Sequence, residues 1–289
     1  RSLIIAITTI KKEKMRHHIL LPTDFSDNAW SATVYALKLY ADFECTFYFL
    51  NTTSIKVSML SNLSNKLLNV MKEAAMKELL DLKALAESGN ANSNHDFEII
   101  LSTADLNKAI KHAVKKYSIH LIIMGTKGTT GAQEFFFGSN TVRVIKNTNC
   151  PVLVVPEEYD FIEPKQIAFP TDYNRFYDSK ELTPLTQLAD LYDSKIRIVH
   201  INIKEELNAV QEYNLSALKG YLSNYESSLH WMPKYAKKAV EINDFIEELG
   251  IDILAMVKYK HSFIQAIIKE PVIKNLGFHA KIPFLVIPE

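Results

Sequence analysis

Glycine is scarce in this chain: eight in 289 residues. Where several fall together, the backbone has a reason to do without Cβ atoms. Cysteine is scarcer, with only Cys45 and Cys150, in unrelated contexts. That argues against a disulfide framework and fits a reducing cytoplasm, where the protein is expected. Charge of one sign is also missing, because 33 Lys and Arg balance 33 Asp and Glu. No basic nucleic-acid surface and no polybasic membrane contact is therefore expected. No apolar run approaches the length of a bilayer span. A Walker A lysine, a nucleophile elbow and paired catalytic carboxylates are absent too, so at most weak ATP hydrolysis is expected and no catalytic residue is assigned.

What remains is the composition of a globular protein, 47% apolar and 23% charged, long enough for two ordinary domains. The opening Arg1–Ile10 resembles a short signal peptide but lacks a small-residue cleavage site. Met15 stands just before His17-His18-Ile19, so residues 1–14 read as an upstream extension or a misassigned start, outside the fold.

The chain repeats itself. Leu21-Pro22-Thr23-Asp24-Phe25 returns as Phe169-Pro170-Thr171-Asp172-Tyr173. Cys150-Pro151-Val-Leu-Val-Val-Pro156 returns as Ile282-Pro283-Phe-Leu-Val-Ile-Pro288, and Leu121-Ile-Ile-Met124 matches Ile253-Leu-Ala-Met256 with the same separation. Three matches in one order mean a tandem duplication. The expected domains are 15–157 and 165–289, with a linker near Glu157–Pro164.

Within repeat one, apolar strands alternate with helical periods. Strands are expected at His18–Pro22, Thr46–Asn51, Phe97–Leu101, Leu121–Gly125 and Val152–Val155. The first helix carries Ala32, Tyr35, Ala36 and Leu39, with Ser26 or Asp27 as its cap. The second carries Leu68, Met71, Ala75, Leu79 and Leu82; the third, capped by Asp105, carries Ile110, Val114 and Tyr117; the fourth runs near Thr141–Lys146. Repeat two follows with strands near Gln166–Pro170, Ile196–His200, Ser228–Met232, Ile253–Val257 and Phe284–Ile287. Its helices include one with Leu182, Leu185, Leu188 and Ala189 and another with Val240, Phe245, Ile246 and Leu249. The fold class is α/β: each repeat a five-stranded parallel sheet with helices on both faces. Ligands of such sheets sit beyond the carboxyl ends of the strands.

The glycines gather after the fourth strand, in Gly125-Thr-Lys-Gly128-Thr-Thr-Gly131-Ala-Gln-Glu-Phe-Phe-Phe-Gly138-Ser139-Asn140-Thr141. The spacing G-x2-G-x9-G, closed by hydroxyl residues at a helix start, is a phosphate cradle with free N–H groups and a favourable dipole.

Pro22-Thr23-Asp24-Phe25-Ser26, a fourth strand ending in Met124-Gly125, this glycine run and the closing Cys150-Pro-Val-Leu-Val-Val together resemble the universal stress protein family. The resemblance covers nearly the whole chain after about residue 15, as two protomers fused head to tail. It implies the strand order 3-2-1-4-5 and an adenine nucleotide, ATP or else ADP or AMP, with Mg²⁺ at the phosphates. It implies that Pro22, Thr23 and Asp24 line the adenosine end, Asp24 on a ribose hydroxyl. Thr52 would meet adenine through its backbone, and Met124 and Gly125 would flank adenine and ribose. Gly128, Gly138, Ser139, Asn140 and Thr141 would hold phosphates. Chemistry agrees: a carboxylate suits hydroxyl donors and repels phosphate unless a metal intervenes. Such members often pair through the fifth strand, so the repeats should pack as a pseudo-dimer, with a homodimer of whole chains as a further option.

Repeat two departs from that pattern. Aligned without gaps, Gly125, Gly128, Gly138, Ser139 and Thr141 become Val257, Lys260, Glu270, Pro271 and Ile273, while Asp172 survives. Repeat two is expected not to bind ATP in the family's manner and to be structural or regulatory, although Lys258, Lys260 and His261 could serve another anion. Ser102-Thr103 in repeat one stands where the family has a glycine.

Blander readings exist for most of these residues. Asp24 could be only a turn residue, Lys127 a solvated loop lysine, Phe135-Phe136-Phe137 packing under the loop and Cys150 a small buried residue. His17, His18, His112 and His120 show no metal-ligand spacing. The expected function is a stress-response protein with adenine nucleotide in repeat one as a switch ligand. Two alternatives stay open: a slow Mg²⁺-dependent ATPase or nucleotidyl-transferring enzyme, and a nucleotide-independent interaction protein.

Overall fold

The computed structural model describes residues 16–53, 65–89, 91–126, 138–202, 206–233, 238–259 and 282–289. In repeat one, β1 (His17–Pro22), α1 (Asp27–Leu39), β2 (Cys45–Thr52), α2 (Asn65–Gly89), β3 (His95–Ser102), α3 (Leu106–Lys116), β4 (Leu121–Gly125), α4 (Ser139–Asn147) and β5 (Val152–Val155) follow in the expected alternation. Repeat two comprises β6 (Gln166–Pro170), α5 (Ser179–Tyr192), β7 (Lys195–Asn202), α6 (Ala209–Tyr221), β8 (Ser227–Pro233), α7 (Lys238–Leu249), β9 (Ile253–Lys258) and β10 (Phe284–Pro288). Helix α6, which is not among the expected helices, is set by a capping box of Asn208 and Gln211.

The strands form one ten-stranded sheet in the order β3-β2-β1-β4-β5-β10-β9-β6-β7-β8. Each repeat thus has the order 3-2-1-4-5, and the list reads alike from either end. All pairings are parallel except β5 with β10, which are antiparallel and place Leu153 opposite Leu285. The expected meeting of the fifth strands is therefore direct backbone pairing, which removes two sheet edges at once. Because helices cover both faces, central strands are apolar on both sides. Ile19 and Leu21 enter one core, while Leu20 between them enters the core on the opposite face.

Local signals set the helix ends. Ser26, rather than Asp27, caps α1, its Oγ accepting from Ala29 N–H at 3.3 Å. Asp105 caps α3 through Lys108 N–H at 3.2 Å. In α2 the buried positions are Ala75, Leu79 and Ala86, with Leu82 half-buried and Met71 40% exposed. The helix has 25 residues, a length of about 37 Å, and its first turns carry the apolar stripe to an uncovered surface.

At the amino ends of β1 and β4, His17, His18 and His120 meet. His18 N–H donates to His120 Nδ1 at 3.3 Å, and the two rings lie 5.8 Å apart. Burial, joined by neighbouring positive charge, lowers all three pKa values from 6.5. The folded state therefore disfavours protonation, so this part of the stability is present above pH 6.5 and declines as pH falls below it. Urea midpoints should fall between about pH 7.5 and about pH 5.5, and His120→Asn, which keeps an acceptor that does not titrate, should flatten that slope. An unchanged slope in the variant would count against the cluster.

Candidate functional site

The turn after β1 is built by its own short side chains. Thr23 Oγ1 accepts from Phe25 N–H at 3.0 Å, and Phe25 sits at φ 64, in the left-handed region. Asp24 Oδ1 accepts from Ser26 N–H at 3.2 Å and from Ser26 Oγ at 2.6 Å. Asn51 Nδ2 ties the turn to β2 by donating to Thr23 O at 2.9 Å. The same turn recurs after β6, where Thr171 Oγ1 accepts from Tyr173 N–H at 3.1 Å, Asp172 Oδ1 from Asn174 N–H at 3.0 Å, and Tyr173 has φ 55. One carboxylate oxygen of each Asp thus serves as a turn acceptor. Asp24 is exposed, and its Oδ2 has no partner among the described residues.

Gly125 closes β4 against the start of α1. A Cβ there would stand 2.4 Å from Asn28 Oδ1 and 2.7 Å from both Asn28 Cγ and Asn28 O. The glycine is therefore required by the close approach of helix to strand, whatever the cleft holds. Thr141 Oγ1 donates to Gly125 O at 3.0 Å, tying the first turn of α4 to the end of β4. Gly138 caps α4 in extended conformation without a side-chain hydrogen bond. The first N–H groups of α4 thus keep their capacity to bind an acceptor.

These pieces surround one cleft of about 560 Å³ at the carboxyl ends of β1 and β4, where the strand order reverses. Pro22, Thr23, Asp24, Thr52, Met124, Gly125, Gly138, Ser139, Asn140 and Thr141 all line it. Gly128, with Gly131, Lys127 and the Phe135–Phe137 run, lies outside the described residues. Asn28, Asn51, Leu106 and Glu157 also line the cleft, unflagged by sequence. For Asn28 a signal existed, a polar residue one position into α1 beside a strand-end glycine. Every charged side chain among the described lining residues is acidic: Asp24, Asp27 and Glu157. No group of three or more potential metal ligands occurs among the described residues. Cys45 and Cys150 are buried, and burial pushes both thiols up to about 12, which leaves neither as a nucleophile.

The corresponding place in repeat two is differently furnished. Helix α5 is capped at Asp178, well beyond Asp172, so its start does not press on β9, and Val257 fits there with 4% exposure. The intervening Arg175 stacks its guanidinium 5.2 Å from the Tyr177 ring centre and 4.8 Å from that of Tyr259. It pairs with Glu181 at 2.5 Å, and Tyr259 OH lies 3.4 Å from Asp172 Oδ1. Tyr177 is buried, its hydroxyl 3.1 Å from Thr171 Oγ1. The chain's own side chains thus gather around Thr171 and Asp172. Lys260, His261, Glu270, Pro271 and Ile273 lie outside the described residues. Among the described residues no helix is long and apolar enough to cross a membrane.

The model of the universal stress protein family matches residues 15–156. A universal stress protein of Methanocaldococcus jannaschii is 32% identical over 146 residues, covering 50% of this chain and 84% of that protein. A second from the same organism is 30% identical over 158 residues, covering 49% of this chain and 95% of that protein. Among solved structures, a universal stress protein from Archaeoglobus fulgidus superposes with a TM-score of 0.66 at 16% identity, covering 94% of this chain and 96% of that one. That likeness extends the shared fold across both repeats. Identity of 32% over most of a relative's length, on top of the matching family model, establishes that the chain belongs to the universal stress protein family.

Proposed function

We propose that the first domain, residues 15–157, binds ATP or a related adenine nucleotide as a switch ligand, and that the second, 165–289, is its structural and regulatory partner. The observation that carries this reading is the convergence of the Asp24 carboxylate and the uncapped N-terminus of α4 on one cleft. Asp24 Oδ2 suits a ribose hydroxyl, Thr52 and Met124 the base, and the N–H groups of Gly138 to Thr141 the phosphates. Ser139 offers a hydroxyl there as well; the Thr141 proton goes to Gly125 O, so its phosphate contact would come from the backbone. Acidic lining residues favour phosphates that arrive with a divalent cation, which Mg²⁺ would supply by offsetting their charge. In the second domain, Arg175, Tyr177 and Tyr259 occupy the neighbourhood of Asp172, which supports a binding stoichiometry of one.

Calorimetric titration of the full chain with MgATP tests this directly: one site per chain is expected, in the micromolar range, and no heat at millimolar ligand would end the reading. Asp24→Asn keeps the turn acceptor for Ser26 but removes the charge, so ATP should bind about tenfold more weakly, about 1.4 kcal/mol, with the melting temperature nearly unchanged. Unaltered affinity in that variant would remove Asp24 from the site.

A further inference from the structure

Helix α4 is held at its two ends by different halves of the molecule. Its N-terminus lines the cleft of repeat one. The carbonyls of its last turns lack helical partners and must find others. Thr148 N–H donates to Val144 O at 3.0 Å, and Asn147 Nδ2 donates to Arg143 O at 2.7 Å. Ile145 O accepts from Lys258 Nζ at 2.7 Å, and Lys146 O lies 3.4 Å from the same ammonium. Lys258 ends β9, so its side chain reaches from repeat two into repeat one. Burial lowers its pKa, and the Glu289 carboxylate acts the other way. Glu289 in turn lies 3.7 Å from Arg175, the cation gathered near Asp172.

We propose that Lys258 is the positioning residue through which repeat two sets the phosphate affinity of the cleft in repeat one. This rests on the nucleotide reading of that cleft. A helix of nine residues, about 13 Å long, behaves as a short rod, so fixing its C-terminal carbonyls fixes the aim of the N–H groups at its other end. A cation at the C-terminus also complements the helix dipole, with a larger effect in partly buried geometry. In the gapless alignment that pairs Val257 with Gly125, the counterpart of Lys258 is Thr126, a short, uncharged and fully buried side chain. Repeat two thus reaches the phosphate-side helix of repeat one with a charged side chain, where the matching position of repeat one holds an uncharged one.

The test compares MgATP and adenosine on the full-length wild type, Lys258→Met and Lys258→Arg by calorimetry, with thermal melts of each. On the nucleotide reading, adenosine would meet the Asp24 side of the cleft and not α4. Lys258→Met should weaken MgATP about three- to tenfold and leave adenosine within about twofold, a loss confined to the phosphates. Lys258→Arg, which keeps a cation and donors, should recover most of the MgATP affinity and guards against a misfolded Met variant. Equal MgATP affinity in the Met variant, or equal losses for both ligands, would overturn the proposal. A wild type that binds neither ligand would instead remove the nucleotide reading, and this proposal with it.

Discussion

Leu285→Asp should unfold the joined sheet rather than loosen one repeat. Leu285 is 1% exposed on β10, faces Leu153 of β5 across the antiparallel pairing, and lies beside Ala255 of β9. A carboxylate there has no cation or donor set aside for it in an apolar neighbourhood. The group must either stay charged without solvent or take up a proton, and the cavity left by the leucine adds to the loss. The expected cost is about 4–5 kcal/mol or more, against about 1.5 kcal/mol at most for the volume-conserving Leu285→Met. Urea unfolding at neutral pH would show the Asp variant unfolded or strongly shifted, and the Met variant close to wild type. If the Asp variant kept the wild-type midpoint, the strand pairing between the repeats would be wrong. Because the two cores each contain residues of both repeats, the loss should reach repeat one as well.

Gly125→Val is the second large effect. The first added carbon already meets Asn28 at 2.4 and 2.7 Å, and one of the atoms met is the backbone oxygen of Asn28, which cannot rotate away. The start of α1 must move, at an expected cost of about 2–4 kcal/mol, and the Ser26 cap and the Asp24 turn move with it. Asn28→Ala in the same chain should return part of that loss, since it removes Oδ1 and Cγ but leaves the carbonyl at 2.7 Å. Measured as a double-mutant cycle, the two changes should couple by about 1 kcal/mol or more. Strict additivity would show that the glycine is not needed for this contact. A consequence follows for binding studies: copying Val257 into position 125 disturbs the frame of the cleft, whereas Asp24→Asn changes only its chemistry.

For Asp24 the sequence leaves turn residue and ligand both open; the structure shows the turn, with Oδ1 on Ser26 and Oδ2 without a partner among the described residues. Survival of Asp172 in a repeat without the glycines is explained by the turn alone, which it makes in the same way through Asn174. Thr141, expected among the residues that hold phosphates, lines the cleft and gives its hydroxyl proton to Gly125 O. Its place beside the cleft was legible in sequence, and its hydrogen bond was not.

The amino-acid sequence by itself determined the duplication, the ten strands, most helix faces, the cap at Asp105, and the strand ends that meet at the cleft. These depend on periodicity, turn chemistry and capping, which act over a few residues and leave a local mark. Only the tertiary structure decided that Gly125 makes room for Asn28, that Arg175 settles between Tyr177 and Tyr259, and that Lys258 caps a helix of the other repeat. Each of these depends on where a helix starts relative to a strand, or on the register of segments far apart in the chain. Side-chain contact falls off within a few ångströms, so such facts leave no periodic trace and exist only once the chain has folded.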